Sequence, residues 1–211
     1  MTKRVDDNQA NRRAAGKLLR EGGVVAYPTD TLYGLGASVK DEKAVARVFE
    51  IKGRPQKQGL PVLVASYEQL AGLVEGIPPE ALWLTHRFWP GALSLVFRKQ
   101  SWLSIVVSGG DTVAVRQPSH PSPLELIEYC GMPITGTSAN KSGGSQPTTA
   151  DEVLRQLDGL VDLVLDGGPC RVQMPSTILD LTVHPARLVR EGAVSLEMLQ
   201  EVVPVMAANN I

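Results

Sequence analysis

The segment Thr29–Thr31 places two hydroxyls and a carboxylate directly after an apolar run that ends at Tyr27. Gly34 and Gly36 follow, and glycine lets the backbone turn tightly and approach a ligand closely. Short polar groups at the end of a buried strand, followed by such a backbone, are what an open sheet offers to a small ligand. The same side chains could equally do no more than cap a turn, and this stretch alone does not decide between the two interpretations.

Two cations flank a glycine in Lys52-Gly53-Arg54, and Lys57 follows in the same loop. Such a cluster suits a polyphosphate, because each cation can make charge-assisted hydrogen bonds to phosphate oxygens. The alternative is that both side chains merely compensate the dipole at the end of the preceding helix. From its Lys, Gln and Gly content we also expect residues 52–59 to form a lid over a bound ligand.

Arg116 closes another apolar run, Val113–Val115, and stands just before Pro118. Its planar guanidinium can bind a carboxylate through two parallel hydrogen bonds, although an arginine at a strand end is usually a solvated surface residue. His120 precedes a proline at a predicted helix start, and we interpret it as structural. Arg116 is therefore the candidate for recognising an organic acid.

A loop of hydroxyls, amides and glycines, Gly136–Ser145, follows the predicted strand Met132–Thr135. Its short donors and backbone N–H groups suit an anion. A plain Gly/Ser linker is the rival interpretation, but the loop is short and ends at a capping box over Thr149–Glu152. Since each polar cluster follows the end of a predicted strand, the pattern indicates one shared cleft.

The elements that must position these groups follow from the apolar periodicity and the capping residues. Helices are predicted over 8–21, from Asp41 to Lys52, from Ser66, over Pro79–Phe88 and Pro123–Cys130, from Thr149 and from Ser195. Strands are predicted over Val24–Tyr27, Leu60–Ala65, Ala92–Phe97, Val113–Val115, Met132–Thr135, Leu163–Asp166, Ile178–Leu181 and Arg187–Arg190. We expect Trp83 and Trp89 to lie in the core rather than to stack on a ligand.

The composition is that of a soluble globular protein, with 211 residues of which 43% are hydrophobic and 20% charged. A net charge of −1 does not indicate an overall nucleic-acid coat, although it is compatible with a local basic groove. No apolar run approaches the roughly 20 residues that cross a bilayer, and the N-terminus lacks a secretory signal. Two distant cysteines and three scattered histidines indicate neither a disulfide nor a zinc site. We therefore expect a cytoplasmic protein.

Several common catalytic motifs are missing from the sequence. It contains no P-loop signature and no Gly-x-Ser-x-Gly elbow, and Gly34-Leu-Gly36 lacks the third glycine of a dinucleotide fingerprint. What remains is a set of cations, hydroxyls and amides without an obvious nucleophile. Such a site fits a reaction between bound substrates that depends on positioning and charge stabilisation.

Four blocks, taken in this order, resemble the YrdC/TsaC family of threonylcarbamoyl-AMP synthases. They are Tyr27–Gly36, Lys52–Pro55, Thr137–Asn140 with Ser142–Gly143, and Pro175–Ile178. Shorter matches are Trp89–Gly91, Val113–Arg116 and His120–Pro121. The similarity covers about residues 10–200, and we expect one YrdC-like domain over residues 1–211 without the further C-terminal domain of longer members.

The resemblance implies the YrdC-like (DHBP synthase-like) α/β fold, in which a twisted mixed β-sheet flanked by helices surrounds a deep basic-lined cleft. It implies a reaction in which L-threonine, bicarbonate or CO2, and ATP with Mg2+ give threonylcarbamoyl-adenylate and pyrophosphate. This is the first step of tRNA threonylcarbamoyladenosine modification, and a threonylcarbamoyl-transferase complex would take the product.

The resemblance assigns six residues to ATP: Lys52, Arg54, Ser138, Asn140, Ser142 and Arg190. The first two are also the expected catalytic pair, and no residue is assigned to a metal. Three residues are assigned to threonine: Thr31, Arg116 and Ser176. Arg116 would hold the carboxylate, whereas we interpret Asp30 as a turn organiser. Many members carry a histidine near Leu63–Ala65 and a proline at the position of Glu191, and this chain does not.

Two rival functions remain open. One is the YrdC-like module of carbamoyl-transferring maturation proteins, which belongs to longer chains with zinc-finger and acylphosphatase-like parts. The other is a non-catalytic protein of the same fold that binds tRNA or double-stranded RNA in the basic cleft. The near-neutral net charge disfavours the RNA-binding function.

Overall fold

Strands and helices alternate along the chain, of which the computed structural model describes residues 1–207. The strands are β1 (Lys3–Asp6), β2 (Val25–Tyr27), β3 (Gly34–Gly36), β4 (Val62–Leu63), β5 (Leu93–Arg98), β6 (Thr112–Arg116), β7 (Ile134–Thr135), β8 (Thr137–Ser138), β9 (Leu163–Asp166), β10 (Thr177–Asp180), β11 (Ala186–Arg190) and β12 (Val205–Met206). The helices are α1 (Gln9–Arg20), α2 (Glu42–Lys52), α3 (Tyr67–Leu73), α4 (Pro79–Phe88), α5 (Ile105–Ser108), α6 (Pro121–Cys130), α7 (Ala150–Leu157) and α8 (Leu196–Gln200). None of the helices in this part of the chain is long and apolar enough to cross a membrane.

The strands form two mixed sheets. Five pair in the order β1-β9-β2-β3-β8, and seven pair in the order β12-β11-β10-β5-β6-β4-β7. The mixed α/β class is confirmed, but the strands divide between two sheets where we expected one. The single domain expected over residues 1–211 stays a prediction, and residues 208–211 lie outside the described part of the chain.

The chain passes from one sheet to the other at Gly136. Residues Ile134–Thr135 pair with β4 in the seven-stranded sheet, whereas Thr137–Ser138 pair with β3 in the five-stranded sheet. A side chain at Gly136 would meet Leu63, whose Cγ lies 2.4 Å from the position of a Cβ atom. A side chain where the two sheets meet would therefore require Leu63 to move.

Local capping sets the helix boundaries close to their predicted positions. Asp41 accepts hydrogen bonds from the backbone N–H groups at the start of α2, and Gly53 ends that helix in the left-handed region with φ 61°. Thr149 and Glu152 form the predicted capping box of α7. His120 caps α6 by accepting from the Ser122 N–H, which agrees with its structural interpretation.

The hydrophobic core lies between the sheets and the helices. One of the two tryptophans predicted to lie in it, Trp83, does not. Trp83 is 56% exposed on α4, so placing it in the core was wrong, because helical periodicity gives a side chain's spacing and not the position of its neighbours. Trp89 is partly buried against the core, and its indole Nε1 donates to the Leu93 carbonyl at 2.7 Å.

Candidate active site

A cavity of about 140 Å³ is lined by residues of both sheets. Six of the nine predicted site residues line it: Thr31, Arg54, Arg116, Ser138, Ser176 and Arg190. Clusters that are far apart in the sequence therefore meet at one cavity, as their positions after strands predicted. The other three predicted residues, Lys52, Asn140 and Ser142, are not among its lining residues.

One row of side chains across the seven-stranded sheet forms the cavity floor. From β4 to β11 this floor row contains Leu63, Arg116, Ser94, Ile178 and Arg190, and all five line the cavity. Leu95 pairs with Val115, so the next residues of these two antiparallel strands, Ser94 and Arg116, stand opposite each other. Because neighbouring strands lie about 4.8 Å apart, the backbones at Arg116 and Arg190 are separated by roughly 14 Å.

Arg116 is held rigidly at one side of the floor row. Its Nη2 donates to Asp30 Oδ1 at 2.6 Å, its Nη1 to Thr31 Oγ1 at 2.9 Å, and its Nε to the Gly91 carbonyl at 2.7 Å. A guanidinium has five N–H groups, so these three bonds leave one N–H on each terminal nitrogen. Two N–H groups in that arrangement match the two oxygens of a carboxylate.

Asp30 is more than a turn organiser, and that interpretation is corrected by its contacts. Its carboxylate is 3% exposed, forms the ion pair with Arg116, and also accepts from the Ser119 N–H at 3.1 Å. Burial lowers the pKa of Arg116, and the adjacent Asp30 opposes that shift. The turn itself is organised by Thr29, whose Oγ1 accepts from the Thr31 N–H and donates to the Leu32 carbonyl.

Lys52 lies beneath the cavity rather than at its surface. It is 4% exposed, and its Nζ donates to the Ser138 carbonyl at 2.6 Å and to the Asn140 carbonyl at 2.9 Å. Burial, followed by the nearby Arg54, lowers the pKa of Lys52 to about 8. In this structure the ammonium therefore supports the loop that carries Ser138.

The loop after β8 is tied together by its own side chains. Ser138 Oγ donates to Asn140 Oδ1 at 2.6 Å, and Asn140 Nδ2 donates to the Gly144 carbonyl at 2.9 Å. Ser142 is exposed, and its backbone N–H donates to the Lys52 carbonyl at 2.8 Å. Only Ser138 of the three predicted loop residues reaches the cavity, while Asn140 is buried in the loop.

Arg54 and Arg190 supply two further cations to the cavity. Neither has a carboxylate within ion-pair distance among residues 1–207, and Arg54 Nε is buried without a hydrogen-bond partner there. Burial lowers the pKa of both guanidiniums, and Arg116 and Arg54 lower that of Arg190 further. Arg54 Nη2 donates to the Gln58 carbonyl at 3.0 Å, so it also contacts the short 3-10 helix Gln56–Gln58 of the predicted lid. The movement of that lid stays a prediction.

Ser94 is a site residue that the sequence reasoning missed. Its side chain is 1% exposed, and its Oγ lies 3.1 Å from Ser176 Oγ. Ser176 in turn accepts from Arg190 Nη2, at 2.6 Å on its carbonyl and 3.3 Å on its hydroxyl. The sequence did contain a signal for it, because Ser94 is a hydroxyl residue inside the apolar run of β5. Its neighbours Leu93 and Leu95 face the core, so Ser94 lies on the opposite face of the strand.

The arrangement favours the joining of two anionic substrates. Within residues 1–207 the cavity lining contains three arginines and several hydroxyls, and no carboxylate, histidine or cysteine. Arginines can bind and neutralise carboxylate and phosphate groups, and hydroxyls can orient them. The lining therefore suits chemistry in which the substrates react with each other.

Comparisons with known proteins agree with this geometry. The Sua5/YciO/YrdC family model, described as "Telomere recombination", matches residues 17–192. The chain is 47% identical over 192 residues to the threonylcarbamoyl-AMP synthase of Pyrococcus abyssi, covering 90% of this chain and 56% of that protein. It is 42% identical over 205 residues to the Bacillus subtilis threonylcarbamoyl-AMP synthase, covering 96% and 59%.

A solved structure is similar over almost the whole chain. The crystal structure of P. abyssi Sua5 complexed with L-threonine matches with a TM-score of 0.91 and 43% identity, covering 98% of this chain and 62% of that one. This likeness confirms the expected YrdC-like fold. The chain spans less than two thirds of the length of both curated relatives and of the chain in this solved structure.

Proposed function

The chain belongs to the Sua5/YciO/YrdC family, and we propose that it is a threonylcarbamoyl-AMP synthase. The observation that carries the proposal is the charge distribution across the cavity. Arg116, already neutralised by Asp30, stands near one side, whereas Arg190 and Arg54 face the cavity without a carboxylate partner in residues 1–207. One side suits an amino acid's carboxylate, and the other suits the larger negative charge of a nucleotide.

Threonine binding is proposed at Arg116, Thr31 and Ser176. The two free N–H groups of Arg116 would hold the carboxylate, and the hydroxyls of Thr31 and Ser176 line the same cavity. The P. abyssi Sua5 structure was solved in complex with L-threonine, which supports an amino-acid site in this fold. Many family members carry a histidine near residues 63–65. In this chain the floor-row residue beside Arg116 is the apolar Leu63.

ATP binding is proposed at Arg54, Arg190 and Ser138, which line the cavity, with Lys52 and Asn140 supporting the loop from below. Two guanidiniums without a carboxylate partner in residues 1–207 can neutralise phosphate charge and hold it by charge-assisted hydrogen bonds. Mg2+ would enter with ATP, since phosphate oxygens are ligands that it prefers. Its chemistry there would be to neutralise charge on the phosphates.

The reaction then needs no nucleophile from the protein. The threonine amine adds to the carbon of bicarbonate, a nitrogen–carbon bond forms, and the carbon–hydroxyl bond breaks, so that hydroxide leaves with an amine proton as water. A carbamate oxygen next attacks the α-phosphorus of ATP, and pyrophosphate leaves with the electrons of the broken phosphorus–oxygen bond. The arginines stabilise the negative charge of both steps and hold the reactants together.

The setting of the reaction is also a proposal. We place it in the cytoplasm, with the adenylate passed to a threonylcarbamoyl-transferase complex that modifies tRNA. Direct contact of this chain with tRNA is part of the same proposal. The relatives' names support the synthase activity, and they specify neither the receiving complex nor an RNA contact.

The decisive measurement is pyrophosphate release from ATP by the purified chain. We expect release that requires both threonine and bicarbonate and that falls strongly when valine replaces threonine. Arg116→Gln should abolish the threonine-dependent release of pyrophosphate, whereas the exposed Arg98→Gln, outside the cavity, should retain it. Absence of release, together with RNA binding that weakens steeply with salt, would instead identify the RNA-binding function.

A further inference from the structure

We propose that the Ser94 hydroxyl binds the one-carbon unit of the reaction, the bicarbonate that becomes the carbamate, between the amino-acid and nucleotide subsites. The inference rests on the proposed synthase function and adds a residue to it. Its basis is the position of Ser94 on the cavity floor. Ser94 is the middle member of the five-residue floor row that runs from Leu63 to Arg190.

The order of residues along the floor row is also an order of subsites. Arg116, on one side of Ser94, is the proposed carboxylate site, and Arg190, two strands away on the other side, belongs to the proposed phosphate site. Strands lie about 4.8 Å apart, so Ser94 is one spacing from Arg116 and roughly 10 Å from Arg190 along the floor. The carbamate carbon must lie between the threonine amine and the α-phosphorus, which is above this part of the floor.

The hydrogen bonds around Ser94 leave its own proton available to a ligand. A guanidinium can only donate, so Arg190 Nη2 donates to Ser176 Oγ at 3.3 Å. Either hydroxyl can be the donor between Ser176 Oγ and Ser94 Oγ, which lie 3.1 Å apart, and we take Ser176 as the donor. No other partner of Ser94 Oγ exists among residues 1–207, so the chain of donors from Arg190 ends in a hydroxyl that can donate into the cavity.

A donor at this point matches the charge of the one-carbon unit. Bicarbonate and the carbamate formed from it both carry negative charge on oxygen, and the lining offers no carboxylate that would repel them within residues 1–207. Each hydroxyl in the Arg190–Ser176–Ser94 chain polarises the next, which strengthens the last donor. Ile178, the next floor residue, offers no competing polar group.

The test compares Ser94→Ala with Ser94→Thr, which keeps the hydroxyl, and with Ser101→Ala, an exposed serine outside the cavity. Pyrophosphate release is measured against bicarbonate concentration at saturating ATP and threonine. We expect Ser94→Ala to lower kcat/KM for bicarbonate by roughly 100-fold, the effect of losing one donor to an oxyanion. Ser94→Thr should recover most of the rate, and Ser101→Ala should behave like the wild type.

Binding measurements separate this role from a structural one. Calorimetric dissociation constants for threonine alone and for ATP alone should change much less in Ser94→Ala than kcat/KM for bicarbonate does, because the variant removes no group that binds either substrate and only the hydrogen-bond partner of Ser176. The thermal unfolding midpoint of each variant shows whether it is folded, and Ser94→Thr supplies the comparison if Ser94→Ala is unstable.

Three results would reject the inference. An unchanged bicarbonate dependence in folded Ser94→Ala, or a loss of threonine affinity as large as the loss of rate, would show that Ser94 does not bind the one-carbon unit. The third is a Ser94→Thr rate as low as that of Ser94→Ala, with both variants folded, since it would show that the hydroxyl makes no difference. A wild type without threonine- and bicarbonate-dependent release would reject the proposed function itself, whereas an active wild type beside an unaffected Ser94→Ala rejects this inference alone.

Discussion

At the scale of single residues, the buried ion pair of Asp30 and Arg116 is the feature of the site whose loss we expect to cost most free energy. Removing one partner of a buried ion pair leaves the other charge uncompensated, which typically costs about 3–5 kcal/mol. The pair is tolerated here because Arg116 also donates to Thr31 and Gly91, and Asp30 accepts from Ser119. These bonds fix the guanidinium in the orientation that leaves two N–H groups free.

We expect Asp30→Asn to weaken threonine use and to lower the stability of the fold. The KM for threonine should rise roughly tenfold or more, equivalent to about 1.4 kcal/mol of lost binding, because Arg116 loses its orienting partner. Steady-state kinetics and urea unfolding measure the two effects. The exposed Asp111→Asn is the matched control, and an unchanged KM in Asp30→Asn would contradict the role assigned to the pair.

Lys52 should give the reaction a pH dependence. Burial and then Arg54 lower the pKa of its ammonium to about 8, and the charged form donates to the Ser138–Asn140 loop. We therefore expect pyrophosphate release to fall as pH rises through about 8, since the deprotonated amine has fewer donors for that loop. A rate that stays constant to pH 9 would count against this role.

The same titration should affect stability with the opposite sign. The ordinary lysine pKa is about 10.4, so between about pH 8 and 10.4 the unfolded chain binds more protons than the folded protein. The contribution of Lys52 to the free energy of unfolding therefore rises with pH across that window. Urea unfolding at several pH values should show this slope in the wild type and not in Lys52→Met, which does not titrate.

At the scale of elements, the crossing at Gly136 connects the two sheets and supports the cavity floor. We expect Gly136→Ala to displace Leu63 from its place beside Arg116, because the new Cβ would lie 2.4 Å from Leu63 Cγ. Overpacking of this kind typically costs about 1–3 kcal/mol, and the rate of pyrophosphate release should fall with it.

Gly72→Ala is the matched control for the crossing. Gly72 lies within α3, and no atom of residues 1–207 outside its chain neighbours and its own helix backbone lies within 4 Å of the position of a new Cβ. Alanine there should therefore stabilise the helix by up to about 1 kcal/mol. Urea unfolding compares the two variants directly. A Gly136→Ala protein as stable and active as Gly72→Ala would show that the crossing tolerates a side chain.

At the scale of the whole molecule, the cavity joins the two sheets, so ligands bound there should stabilise the entire fold. A ligand at 100 times its Kd raises the free energy of unfolding by about 2.7 kcal/mol when it binds only the folded state. We expect threonine and ATP each to raise the thermal unfolding midpoint. Arg54→Ala should lose most of the ATP effect and keep the threonine effect, because Arg54 has no part in the Arg116 subsite. Equal loss of both effects would contradict two separate subsites.

Much of the fold follows from local chemistry. The ends of α2 and α7 depend on residues within a few positions of each other, such as Asp41, Gly53, Thr149 and Glu152, and these were predicted. Shorter elements were missed: β1, β3 and β12 span only two to four residues, and α5 only four, too few for a clear periodicity. Trp83 was misplaced because its exposure depends on elements distant in the chain.

The sequence by itself determined the family, the residue types of the site and the boundaries of the main helices, because motifs and caps are local. Only the tertiary structure decided which side chains meet. In it Asp30 forms an ion pair with Arg116, Lys52 donates to the Ser138 carbonyl, and Ser94 lies in the middle of the floor row. The reason is that successive strand pairs bring into one row positions that lie more than 100 residues apart in the sequence, from Leu63 at one end to Arg190 at the other. No local pattern specifies such neighbours.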